Sequence, residues 1–230
     1  MKKWSILFLL FFHFLYPKTA IIFINPKKNV NEEILEARSV FCKKIKKQAK
    51  RGGDFFDFEY QEFDGTMTLE FKYNVAELFT LLILVKDKYE KINVFCFGFG
   101  ENIFNFVSHK FNQPNLINGV YVFDKCSEIR PNLAVVEKIY NFYSIKPKIQ
   151  FLTGKVIYPS FVRNKIININ IDTSFGENKE AIFYYKYLGK KLLHLQDQLD
   201  EVQDVIQKDK RLILPTSKNG EIQIVYTDVS

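Results

Sequence analysis

The sequence predicts an α/β domain of three layers, built on a mostly parallel sheet and carrying a C-terminal β-hairpin. Three observations lead there. Short apolar runs (Ala20–Asn25, Ile92–Phe97, Gly119–Phe123 and Lys165–Ile171) alternate with amphipathic helical patterns, the rhythm of βαβ units. The first two runs are apolar nearly throughout, as strands covered on both faces of a sheet must be. Near the end, Asn219-Gly220 stands between Arg211–Leu214 and Glu221–Tyr226, and Asn-Gly is the type I′ hairpin dipeptide.

Taken in order, the chain opens with Met1-Lys2-Lys3 and a largely apolar run from Trp4 to Tyr16, then Pro17-Lys18. That run has the length of a signal-peptide core and is short for a membrane span. Residues 1–19 therefore read as a signal peptide or signal anchor, and entry into the secretory pathway is expected. Residues 20–230 form the domain. After the Ala20–Asn25 strand, Asn31 precedes Glu32-Glu33 and an apolar periodicity through Ile34, Leu35, Val40, Phe41 and Ile45, ending at Gly52-Gly53. This is an N-cap, an acidic first turn and an amphipathic helix. Phe55–Tyr60 reads as a strand and Asp64-Gly65 as a turn. A helix follows from Leu69 to Tyr89, with Ala76, Leu78, Leu81, Leu82 and Leu84 in its core-facing region. The Ile92–Phe97 strand ends in Gly98-Phe99-Gly100 and a helix from Glu101 to Phe111. Gly119–Phe123 is a strand, Val135–Tyr143 has a helical pattern, Lys165–Ile171 is a late strand, and Lys179–Gln207 reads as a long helix.

Composition excludes several classes. The 230 residues are 47% hydrophobic and 26% charged, enough for one good core and unlike a disordered or fibrous chain. The 24 Phe and 12 Tyr accompany abundant Lys, Asn and Ile, a compositional bias rather than a functional signal. The net charge of +7 is concentrated in Lys43–Arg51 and Lys186–Lys191. Both clusters fall in helical patterns and read as solvated faces, with an anionic membrane surface as the functional alternative. No nucleic-acid-binding motif accompanies them. Cys42, Cys96 and Cys126 have no metal-ligand spacing, so neither a metal nor a disulfide framework is expected, and Cys42 and Cys96 read as buried free thiols.

The chemistry-bearing segment is the junction Cys96-Phe97-Gly98-Phe99-Gly100. As a dinucleotide loop it fails, because Ile103 stands at the third glycine position and Glu101 would repel a pyrophosphate. As a G-x-S-x-G nucleophile elbow it aligns with Cys96 at the first small residue, Gly98 at the nucleophile and Gly100 at the last glycine. Glycine tolerates the backbone of such a turn but has no atom with which to attack an ester.

The order of segments around that junction resembles the GPI inositol-deacylases, a lipase-like α/β-hydrolase family of the endoplasmic reticulum. The matching stretches are Asp54–Gly65 (DFFDFEYQEFDG), the helix Asn74–Tyr89, then INVFCFGFGENI and INGVYVFDK, and more loosely Val136–Tyr143. The resemblance implies an α/β-hydrolase-like fold and hydrolysis of the acyl ester on the inositol of GPI-anchored proteins. It implies no cofactor, and GPI-anchored proteins or an acyl lipid as partners. It also implies that Asp172 or Glu177 stands for the family's acid, and His194 for its histidine. Asn25 begins the oxyanion-side loop, with Phe99 and Gly100 completing the elbow. The departures are Gly98 for serine, Phe97 for histidine, Glu101 for glycine, and the glycine-free Asn25-Pro26-Lys27-Lys28 turn. The expectation is therefore a relative with impaired ester hydrolysis, in the lumen or membrane of the endoplasmic reticulum or secreted. The alternative is a non-catalytic lipid- or protein-binding module, with Phe97 and Phe99 as an apolar rim. Ser108-His109 is adjacent in sequence, but neighbouring helix residues diverge and do not form a dyad.

Overall fold

A computed structural model of the chain describes residues 19–27, 32–48, 53–61, 63–123, 131–143, 165–170 and 223–224. Its elements are β1 (Thr19–Pro26), α1 (Glu32–Gln48), β2 (Gly53–Tyr60), α2 (Leu69–Lys86), β3 (Lys91–Phe97), α3 (Gly100–Ser108), β4 (Ile117–Phe123), β5 (Val136–Tyr143), β6 (Ile166–Asn170) and β7 (Gln223–Ile224). Residues 1–18 of the expected leader, the helix expected over Lys179–Gln207, Arg211–Leu214, Asn219-Gly220 and Cys126 lie outside the described residues, and Thr19 opens β1.

The seven strands form one sheet in the order β2-β1-β3-β4-β5-β6-β7. Every pairing is parallel except β6 with β7, which is antiparallel through Ile169↔Ile224. The α/β fold read from the sequence is thus present. The order reverses direction after β1. Right-handed crossovers then send the helix after β1 to one face and those after β2 and β3 to the other. The C-terminal ends of β1 and β3 flank the point of reversal, where doubly wound sheets open a crevice.

Side chains divide between the faces in the register the pleat dictates. On one face Ala20, Ile22, Ile24, Val94, Cys96, Val120 and Val122 pack under Val75, Leu78, Leu82 and Val85 of α2 and Ile103, Phe104 and Val107 of α3. On the other face the aromatic residues form a ladder. Phe97 stacks on Phe123 at 5.0 Å and Phe123 on Phe142 at 4.7 Å, with Phe95 on Tyr121 at 4.4 Å and Tyr121 on Tyr140 at 4.9 Å. Phe41 of α1 meets Phe95, Phe97 and Phe123 edge-on, the arrangement that ring quadrupoles favour. Each fully buried Phe contributes about 1.5–3 kcal/mol relative to exposure. Much of the high aromatic content is therefore structural.

Two sequence expectations are corrected. Val135–Tyr143 is not a helix but strand β5, paired with β4 from Ile117↔Val136 to Phe123↔Phe142. Val136, Ile139, Tyr140 and Tyr143 fall at helical spacing, yet β-branched and aromatic residues fit a pleated, buried surface better. Asn132 supplies the turn before the strand, its side-chain oxygen accepting from the Ala134 amide at 3.1 Å and its carbonyl from the Val135 amide at 3.0 Å. Within α2, Leu78 and Leu82 are buried as expected, but Ala76 and Leu84 are exposed. Phe71, Asn74, Val75 and Val85 take the core positions instead.

The turn into α2 is specified locally. Gly65 has φ +87°, the left-handed region that suits glycine. Thr68 caps the helix, its hydroxyl accepting from the Phe71 amide at 3.2 Å and donating to the Gly65 carbonyl at 3.2 Å. Buried Asn74 ties the end of β2 to α2: it accepts from the Gln61 amide at 3.1 Å and donates to the Gln61 carbonyl at 2.7 Å.

Candidate functional site

The end of β1, the end of β2 and the β3–α3 turn come together at the point of strand reversal. Gly98 makes that turn with φ +55°, a backbone that costs an L side chain about 1–2 kcal/mol. Its amide donates to the Phe123 carbonyl at 3.1 Å, holding the turn against β4. A Cβ at Gly98 would lie 3.2 Å from the Tyr60 hydroxyl. That hydroxyl in turn donates to the Phe97 carbonyl at 3.2 Å. A phenol therefore borders the space into which a side chain at position 98 would project.

Gly100 is required for a different reason. A Cβ there would fall 2.7 Å from Ile24 Cγ2 and 3.0 Å from the Ile24 carbonyl oxygen. Only glycine lets the first turn of α3 approach β1 this closely. Phe99 between the glycines begins α3 without a side-chain cap. It is half exposed, with its ring 5.7 Å from Phe63. Phe97, grouped with it as an apolar rim, is instead fully buried on the opposite face beneath the Arg38 guanidinium, 5.2 Å from the ring centroid. The apolar rim is therefore Phe99 without Phe97: the β3 pleat turns Phe97 to the α1 face, and Phe99 lies beyond the strand at the start of α3.

Several groups beside the turn are held out of reaction. The Cys96 thiol is buried, and burial together with the nearby Glu101 charge pushes its pKa well above the ordinary value. It stays protonated and non-nucleophilic. Glu101 is itself buried in the first turn of α3, accepting from the Asn105 side-chain amide at 3.2 Å. It places a carboxyl group where a phosphate loop needs bare amides. Ser108 sits at the far end of α3, donating to the Asn105 carbonyl at 2.7 Å and accepting from the Asn132 amide at 2.8 Å. His109 beside it is exposed. Their positions leave no dyad at the β3–α3 turn.

The turn after β1 is held within the sheet. Asn25 pairs with Glu59 one residue before the end of β1, and the Lys27 amide donates to the Tyr60 carbonyl at 2.9 Å. Lys27 thus extends the β1–β2 ladder rather than aiming its N–H at the β3–α3 turn. Among the described residues the Phe99 amide has no backbone partner. Asp172, Glu177 and His194 lie outside the described residues. Sequence reasoning missed Tyr60 and Arg38. Both belong to elements read correctly, but their partners are 37 and 59 positions away (97 − 60 and 97 − 38), and no local pattern encodes such contacts.

Among the described residues no group of His, Cys, Asp or Glu is clustered closely enough to hold a metal, and no helix is long and apolar enough to cross a membrane. No protein-family model matches the chain, and no curated protein matches it in sequence.

Proposed function

We propose that this protein is a divergent relative of the GPI inositol-deacylases in which the hydrolase frame persists and ester hydrolysis is lost. The observation that carries the reading is the backbone of Gly98. A nucleophile elbow is a tight strand-to-helix turn at the top of a parallel sheet whose central residue takes a strained conformation. Gly98 has φ +55° at such a turn, two residues before a glycine that Ile24 leaves no room to replace.

In an active enzyme of this type, a serine at the turn attacks the acyl carbonyl. A histidine takes its proton, an acid orients the histidine, and backbone amides stabilise the oxyanion. Here position 98 has no attacking atom, Cys96 is protonated and buried, and the Lys27 amide is bonded within the sheet. Loss of a triad serine removes catalysis by factors on the order of a million. What remains beside the turn is the half-exposed Phe99 ring against Phe63, an apolar contact for an acyl ester or lipid that is held without being cleaved. Function in the endoplasmic reticulum or the secretory pathway, on GPI-anchored proteins or their lipid, belongs to the same reading.

The test is complementation of cells lacking GPI inositol-deacylase, reading acyl-inositol on a GPI-anchored reporter by its sensitivity to phospholipase. The reading predicts no rescue by the wild-type chain and at least partial rescue by Gly98→Ser. Rescue by wild type would refute the loss of activity. A folded Gly98→Ser protein that fails to rescue would count against the deacylase assignment.

A further inference from the structure

Helix α2 has two apolar faces, and the sheet covers only one. Its core face is Phe71, Asn74, Val75, Leu78, Leu82 and Val85. On the other side Leu69, Tyr73, Ala76, Thr80 and Ile83 are all exposed, and they are spaced four and three residues apart alternately. That is the a/d seam of a coiled coil, with Tyr73 and Thr80 at a and Leu69, Ala76 and Ile83 at d. Exposed large hydrophobics are concentrated here. Met67 (81%), Leu69 (78%), Tyr73 (59%), Ile83 (39%) and Leu84 (55%) lie on α2 or the turn before it, and Phe99 is the sixth among the described residues. A strip this continuous on a folded domain marks a contact surface.

The flanking residues say what covers it. In this register Lys72 and Phe79 occupy g, whereas Glu70, Glu77 and Leu84 occupy e. In a parallel pair, a g residue meets the e residue five positions later on the other helix. Lys72 then faces Glu77, and Phe79 faces Leu84: a charge pair followed by an apolar pair, each made twice by symmetry. Neither Lys72 nor Glu77 has an ion-pair partner among the described residues. Phe79 also lines an open groove of about 690 Å³ beside α3, with Met67, Phe71, Val75 and Phe106.

We propose that the protein self-associates through α2 as a two-fold dimer of parallel helices, with Leu69, Tyr73, Ala76, Thr80 and Ile83 at the seam and reciprocal Lys72–Glu77 pairs at its edges. A two-fold axis running along the seam brings each d residue against its own copy. Small Ala76 and Thr80 at the centre permit close helix approach. The inference does not depend on the reading of Gly98.

The test is sedimentation velocity of the full chain over a range of concentrations, with charge variants at exposed positions that leave the core untouched. The wild type should show a reversible monomer–dimer equilibrium. Lys72→Glu or Glu77→Lys alone should weaken it roughly tenfold, and the double reversal should restore it to within about threefold. Leu69→Cys and Ile83→Cys should each form a disulfide-linked dimer on mild oxidation, beyond any background of the wild-type cysteines. A monomer at every concentration would overturn the proposal. So would dimerisation indifferent to the charge reversals, or linking of Tyr73→Cys only to Ile83→Cys, which would mean antiparallel helices. A monomer that floats with phosphatidylcholine vesicles would assign the strip to a bilayer instead and equally overturn it.

Discussion

Replacing Gly98 with alanine isolates the backbone feature on which the functional reading rests. At φ +55° the new Cβ costs about 1–2 kcal/mol through its contact with the chain's own carbonyl oxygen. It also meets the Tyr60 hydroxyl at 3.2 Å, so the ring must yield by a few tenths of an ångström. Yielding weakens the hydroxyl's bond to the Phe97 carbonyl, a bond of about 1 kcal/mol. Against this, alanine makes the unfolded chain stiffer and returns about 0.4–1 kcal/mol. The net expectation is a loss of about 1–2 kcal/mol, seen in urea unfolding as a lower midpoint with an unchanged slope. Tyr60→Phe separates the parts. Without the hydroxyl the steric component vanishes and the backbone component stays, so the double variant should lose less than the sum of the single losses. Wild-type stability in Gly98→Ala would refute the reasoning, because the turn would then not hold its left-handed conformation. Strict additivity with Tyr60→Phe would place the phenol away from position 98.

The remaining predictions concern close packing, alkaline stability and the outer face of α2. Gly100→Ala forces a Cβ within 2.7 Å of Ile24 Cγ2 and 3.0 Å of its carbonyl oxygen. It should cost about 1–3 kcal/mol, again measured by urea unfolding, and a neutral result would contradict the tight approach of α3 to β1. Cys42 has its pKa raised from 9.0 to about 12, first by burial and then by the Asp57 charge. Because the raised value belongs to the folded state, its stabilising contribution is whole below pH 9 and is lost as pH rises from 9 through about 12. The loss is about 1.4 kcal/mol per pH unit in that window. Cys42→Ala should therefore lose stability less steeply between pH 9 and 11 than wild type, and parallel curves would refute the assignment. On α2, sedimentation of the Lys72 and Glu77 reversals decides whether the exposed seam is a dimer contact.

How far the sequence reaches depends on the range of the interaction. Strands β1 and β3 were legible because both faces are buried and their apolar runs are nearly unbroken. The GxG junction was legible because glycine is the residue that a positive φ and a close helix approach demand. Strand β5 was misread because Val136, Ile139, Tyr140 and Tyr143 happen to satisfy helical spacing, and a short apolar run does not separate the two periods. Its composition, two valines, an isoleucine and three aromatics in Val135–Tyr143, was the better guide. Helix α2 shows the reverse ambiguity. It is apolar on two sides, so its pattern alone did not say that Ala76 and Leu84 face out, and the sheet decides it. At the candidate site, Gly98, Phe99 and Gly100 were found by motif. Tyr60 required the β1–β2 pairing to bring it beside Gly98, and Phe97 turned away because alternation in β3 assigns it to the α1 face.

The central claim, that Gly98 occupies the nucleophile position of a hydrolase frame that no longer hydrolyses, is tested most directly by labelling with a fluorophosphonate probe. The full-length wild-type chain and Gly98→Ser are compared, with circular dichroism confirming that both are folded. The account predicts no labelling of wild type and serine-dependent labelling of the variant, with the adduct mapped by mass spectrometry to residue 98. Labelling of the wild-type protein at any serine, or a folded variant that remains unlabelled at residue 98, would contradict it.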